Sequence, residues 1–227
     1  MDITFLLVHS PSVGPSTWMP VAGVLRSRGH RAVVPSLVDV TAGPGPYWPR
    51  VVDRVTAAAP PDGPVAVVAH SNAGLFVPLI AQALGVRVSR CLFVDAALPP
   101  RRGSTTAAEP EFLPFLRSIA DESGVLPRWT DWWDEDDVAA LFPDDATRRV
   151  VVAEQARLPL AYYQEEIPVP EGWDHAGGAY LWFAEAYAAT SDEAGERGWQ
   201  VARIPGEHLH QVCAPDAVAD WLVASAG

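Results

Sequence analysis

Lysine is missing from this chain of 227 residues: all 16 basic side chains are arginine, set against 28 aspartates and glutamates for a formal net charge of −12. A surface that recognises a polyanion carries the opposite balance, so neither DNA nor RNA is expected as a partner. Cysteine is nearly missing too. Cys91 and Cys213 each lie in or beside an apolar stretch and far from one another, which gives no disulfide framework and reads as packing thiols. Apart from the His208-Leu209-His210 pair no histidine spacing suits a metal, so neither a metal nor a cofactor is expected. No G-x-G-x-x-G follows the first apolar run, which argues against a dinucleotide-binding arrangement. No apolar run approaches the ~18 to 20 residues of a membrane span, and Ile3 to Val8 is shorter than a secretory signal core. The expectation is a cytoplasmic protein with no membrane association.

What is present is apolar. With 49% apolar against 19% charged residues, the chain can close one substantial core and carry a modest insertion. Short β-branched runs alternate with longer helical patterns, the signature of βαβ units on a mostly parallel sheet flanked by helices. Six strands are expected at 3–8, 31–34, 65–69, 91–94, 179–184 and 200–204, and helices near 18–27, 47–59, 73–84, 192–197 and 216–225. Gly29, Gly63 and Gly85 stand where helices should stop. No internal repeat is visible.

Between Pro99 and Gly177 the pattern changes to frequent prolines and short helical segments without a β-branched strand. The expected organisation is therefore a core of residues 1–98 and 178–227 with a helical cap at 99–177. Nine acids and one base, Arg128, lie between Asp121 and Asp145. They read as a solvated, self-repelling face, with exclusion of anionic substrates as the functional alternative. Trp129, Trp132 and Trp133 interleave with these acids; on a helix, Trp129 and Trp133 would share one inward side.

The stretch that carries chemistry is Val65-Ala66-Val67-Val68-Ala69-His70-Ser71-Asn72-Ala73-Gly74. A buried strand runs into Ser71 and straight on into a helix, so the serine sits on a strained turn with its hydroxyl projecting at the strand's C-terminal end. The close approach of strand and helix demands small neighbours two residues either side, and Ala69 and Ala73 stand where glycines are more familiar.

In this order and over nearly the whole chain, Phe5-Leu6-Leu7-Val8-His9 with Trp18 beyond, Ala69 to Gly74, Leu92-Phe93-Val94-Asp95 and Ile204-Pro205-Gly206-Glu207-His208 resemble four landmarks of the α/β-hydrolase superfamily, in its small, esterase-like form with a helical lid. The resemblance implies Ser71 as nucleophile and His208 as base, with His210 the alternative on the same loop. It implies Asp95 as the acid, with Glu185 or Asp192 in the other slot such enzymes use. One oxyanion donor would be the Asn72 N–H. The second should come from the loop after His9, where Pro11 has no N–H to give, leaving Ser10 or Ser12. Trp129, Trp133 and Tyr162 are expected to contact substrate.

The activity so implied is hydrolysis of an ester or thioester of a small apolar or aromatic metabolite through an acyl-enzyme, rising with pH as a histidine base loses its proton. A lyase, acyl-transfer or cyclisation step on the same site, or a non-catalytic small-molecule receptor, are the alternatives. A homodimer is left open. The all-arginine, alanine-rich composition fits a GC-rich bacterial genome.

Overall fold

The computed structural model describes residues 3–227. Its strands are β1 (Thr4–Val8), β2 (Arg31–Val33), β3 (Val65–Ser71), β4 (Val88–Ala96), β5 (Gly103–Thr106), β6 (Glu166–Val169), β7 (Gly178–Trp182) and β8 (Gln200–Arg203). Six form one parallel sheet in the order β2-β1-β3-β4-β7-β8. The central strands read as unbroken apolar runs because helices cover both faces. On one face Leu6, Val8, Val67, Ala69 and Phe93 meet Val51 and Val55 of α2 (Trp48–Ala58) and Ile80 of α3 (Val77–Leu84). On the other, Phe5, Leu7, Val68, Leu92 and Val94 meet Leu25 of α1 (Met19–Ser27) and Val218 and Leu222 of the C-terminal helix, Pro215–Ala226. Alternate residues of one strand thus feed opposite cores, the period of two that a pleated strand imposes.

Several boundaries differ from the sequence expectation, among them the helix expected at 192–197, which runs over Ala188–Glu196, and the strand expected at 179–184, which ends at Trp182; two differences have a plain physical reason. The helix expected from Ala73 starts as a 3-10 turn over Asn72–Phe76 and becomes α-helical only at Val77; Pro78 fits a first helical turn, where its missing N–H costs nothing. The strand expected at 91–94 extends over nine residues as β4, because ladder pairing needs backbone, not apolar side chains, at its ends.

The 99–177 segment contains α4 (Leu113–Ile119), α5 (Glu135–Ala140), α6 (Asp145–Glu154) and α7 (Leu160–Gln164), but it is not purely helical. Its β5 and β6 pair as an antiparallel ribbon, a correction to the strand-free reading. Pro168 is compatible with the ribbon, where it occupies an edge position while its neighbours Ile167 and Val169 turn inward and are buried. The segment also lacks a separate large core: Leu116, Leu126, Tyr162, Ile167 and Trp173 belong to the same apolar cluster as the sheet. Several of its acids have structural partners instead of merely facing water. Asp144 caps α6 through Thr147 N–H at 2.7 Å, Asp121 pairs with Arg157 at 2.7 Å, and Glu135 pairs with Arg148. After α7 and the ribbon come α8 (Ala188–Glu196), α9 (His210–Cys213) and the C-terminal helix, α10. No helix among the described residues is long and apolar enough to cross a membrane.

Candidate active site

Ser71 ends β3 in a conformation that L-residues avoid, with φ 57° and ψ −137°. Immediately after it the chain turns into the 3-10 segment, and the adjoining backbones come so close that a Cβ at Gly74 would run into the Ala97 carbonyl oxygen. Ala69 and Ala73 are fully buried beside it. Their methyl groups fit; the position that tolerates only glycine is 74.

Asp95 is positioned by an irregularity of the next strand. His70 pairs with Val94 and Ser71 with Ala96, so Asp95 is the extra, unpaired residue of a bulge, and its φ is 43°. A bulge re-aims one side chain without ending the strand. Here it turns a wholly buried carboxylate toward the loop after β8. Oδ1 accepts Phe183 N–H at 2.7 Å and Ala184 N–H at 3.3 Å, and Oδ2 meets His208 Nδ1 at 2.7 Å. These bonds satisfy the anion that burial would otherwise penalise heavily. Since the carboxylate accepts, His208 carries its proton on Nδ1 and leaves Nε2 for chemistry.

The His208 ring is packed on several sides. Tyr187 stacks on it at 5.1 Å and 4° interplanar angle, Trp129 leans on it at 5.7 Å, and the His70 ring lies at 4.6 Å. His70 is wholly buried and Nε2–H donates to the His208 carbonyl at 2.8 Å; burial and the neighbouring His208 hold its pKa well below the histidine range. His9 is buried as well. Leu37 N–H donates to its Nε2 at 3.0 Å, so the ring proton sits on Nδ1 and donates to Ser10 O at 2.8 Å. Burial pushes its pKa down to about 4. Among the described residues no direct hydrogen bond joins Ser71 Oγ to His208; such a contact commonly tightens only with substrate bound.

A cavity of about 640 Å³ opens over these groups, lined by Ser10, Ser12, Ser71, Asn72 and His208 and, from the insertion, by Phe112, Trp129, Trp132, Trp133 and Tyr163. Trp129 and Trp133 do reach it, but not as one helical face. Residues 129–132 form a 3-10 turn and Trp133 is extended and 43% exposed at the rim, while Trp132 packs against Phe112, Phe115 and Tyr163. Tyr162 is corrected: it is fully buried between Tyr47, Phe76 and Tyr163 and does not line the cavity. Its neighbour Tyr163 lines it instead.

The alternatives for base and acid lie elsewhere. His210 begins α9 against Phe183 and is not a lining residue. Glu185 is exposed and paired with Arg203 at 3.0 Å, and Asp192 lies exposed on α8. Sequence reasoning missed Tyr187, which has no motif and reaches the site only through the fold. Among the described residues no group of three or more His, Cys, Asp or Glu side chains is arranged to hold a metal ion.

No protein-family model matches the chain. It is 35% identical over 104 residues to esterase PIR7B of rice, Oryza sativa subsp. japonica, a stretch that covers 42% of this chain and only 39% of that protein. It is 25% identical to the carbendazim hydrolyzing esterase of Nocardioides sp. (strain SG-4G), over 97% of this chain and 98% of the other. Among solved structures, an extracellular α/β-hydrolase from a Paenibacillus species, described as sharing structural and functional homology with tobacco salicylic acid binding protein 2, matches with a TM-score of 0.75 over 99% of both chains at 18% identity. That last likeness concerns the fold.

Proposed function

We propose that this chain, whose fold matches that of an α/β-hydrolase, is a member of that superfamily and a carboxylic ester hydrolase working through an acyl-enzyme on Ser71. The observation that carries the reading is the buried Asp95–His208 hydrogen bond of 2.7 Å in a cavity that also holds the strained Ser71. A serine hydroxyl needs a base, and the base needs a fixed tautomer. Asp95 supplies the second requirement, so His208 Nε2 is free to take the Ser71 proton as Oγ attacks the ester carbonyl carbon. The resulting oxyanion is met by Asn72 N–H and by Ser10. Collapse transfers the proton from His208 to the departing alcohol, and a water then repeats the sequence to release the acid. The esterase relatives support ester hydrolysis, and their partial or distant similarity leaves the substrate to be argued from the cavity.

The lining combines aromatic rings with four carboxylates, Glu109, Asp137, Glu193 and Glu207, and includes no arginine. A small neutral ester with an apolar or aromatic group fits this environment, and the 640 Å³ volume accommodates a metabolite rather than a polymer. Anionic acyl carriers meet charge of their own sign at the mouth. The residues 99–177 act in this reading as a cap that roofs the site. The deciding experiment is turnover of a short-chain p-nitrophenyl ester by Ser71→Ala. Loss of activity with an intact fold is expected; unchanged turnover would rule the reading out.

A further inference from the structure

We propose that the hydrogen-bonded hydroxyl pair of Ser12 and Tyr163 supplies an additional oxyanion donor, which makes a residue of the insertion part of the acyl-transfer machinery. This rests on the acyl-enzyme reading above. The loop after β1 is poor in backbone donors where they are needed. Pro11 has no N–H, and Ser12 N–H is already engaged by Ser10 Oγ at 3.3 Å. The side chains offer what the backbone does not. Ser12 Oγ and Tyr163 Oη lie 2.8 Å apart, both residues are buried, and both line the cavity that contains Ser71 and Asn72.

Hydrogen counting gives the consequence. The two hydroxyls hold two hydrogens, and their mutual bond uses one, whichever oxygen donates. The other O–H finds no acceptor among the described residues, on a buried pair that lines the cavity, and a donor without an acceptor is costly until a ligand oxygen arrives. Burial also holds the Tyr163 phenol above its ordinary pKa, so it stays protonated and able to donate through neutral and mildly alkaline pH.

The pair is held in place from both ends. Tyr163 O accepts Ala108 N–H at 3.3 Å, and the side chain of Asn72 donates to the adjacent Ala107 O at 3.1 Å. The residue after the nucleophile and the phenol are therefore tied to the same two-residue stretch. On the other side, Ser12 is linked through its N–H to Ser10, whose carbonyl accepts both Val13 N–H and the His9 ring. A donor fixed before substrate arrives needs no reorganisation during reaction, which is the condition for strong oxyanion stabilisation.

The test uses the full chain, p-nitrophenyl acetate and five variants. Ser12→Ala or Tyr163→Phe alone leaves one hydroxyl, no longer positioned by its partner, and kcat is expected to fall about tenfold with little change in KM. The double variant removes the donor, and a loss of about 10²-fold to 10³-fold in kcat is expected, the range for one oxyanion donor. Labelling of Ser71 by a fluorophosphonate should slow in step, because the phosphoryl oxygen occupies the same place. Ser12→Thr keeps the hydroxyl and should retain kcat. A double variant that holds its thermal midpoint and keeps kcat within about threefold of the parent would overturn the proposal, as would losses confined to KM. Ser71→Ala separates the two claims: if it abolishes turnover while the double variant stays active, only the donor assignment fails, and if Ser71→Ala stays active the acyl-enzyme reading fails first.

Discussion

Asp95 combines two features that rarely coincide, a left-handed backbone at φ 43° and a carboxylate with no solvent exposure. Each is costly alone, and together they persist because the Phe183 and Ala184 amides and His208 satisfy the anion. Asp95→Asn keeps an oxygen for the two amides but removes the carboxylate that selects the His208 tautomer. A fall in kcat on the order of 10³-fold or more is expected, the behaviour of a triad whose acid becomes an amide. Glu185→Gln should leave kcat within about twofold, since it alters an exposed ion pair. Steady-state kinetics on the two variants decide between the slots. His9 gives a second prediction at this scale. Its folded pKa of about 4 lies below the unfolded value of 6.5, so between these pH values the unfolded state binds the extra proton and stability rises with pH. The contribution of His9 is fully present above about pH 6.5 and is lost as pH falls toward 4, by on the order of 3 kcal/mol. Denaturant titrations across that window should show the decline, and a His9→Gln variant, if it folds, should show a shallower one.

Among the elements, the strand-to-helix turn around Ser71 shows how tightly the backbone packs where this serine is displayed. Gly74→Ala puts a methyl against the Ala97 carbonyl oxygen, and because Ala97 N–H also donates to Ser71 O at 3.1 Å, relief of the clash has to move the elbow. A loss of about 1–3 kcal/mol is expected, as for overpacking elsewhere, with a fall in kcat; thermal unfolding and kinetics on the one variant measure both. The same turn was legible in the sequence, because a buried apolar strand, a serine and a helix follow one another without a gap. The parallel strands were legible for the same reason, since burial on both faces leaves an apolar run. The bulge at Asp95 was not. It depends on how β3 and β4 register against each other, which no local pattern records. The ribbon of β5 and β6 was hidden because Gly103-Ser104-Thr105-Thr106 has no apolar alternation and its partner strand contains Pro168. Tyr162 and Tyr163 show the limit most plainly. Two adjacent tyrosines on one short helix point to different places, one into the core and one into the cavity, and only the packing of α7 against its neighbours decides which.

At the scale of the whole molecule, the excess of acid over base becomes a property of the cavity mouth. Glu109, Asp137, Glu193 and Glu207 line it; Glu193 is paired with Arg197. The charges are exposed, so their pairwise energies are small and screened, but a mouth of one sign changes the local concentration of a charged substrate. Of two otherwise matched p-nitrophenyl esters, the one ending in a carboxylate should show a kcat/KM about tenfold lower than the neutral one at low ionic strength, and the gap should close at about 0.5 M salt. Equal values at low ionic strength would show that the acids serve capping and solubility alone. The proposed chemistry turns on one bond, between Ser71 Oγ and an acyl carbon. Its most direct test is to treat the protein with a fluorophosphonate and locate the adduct by peptide mass, with Asp95→Asn and Ser71→Ala alongside. A single adduct on Ser71, slowed in Asp95→Asn and absent from Ser71→Ala, is the predicted result. An adduct on another residue, or no adduct from a protein that still hydrolyses esters, would contradict it.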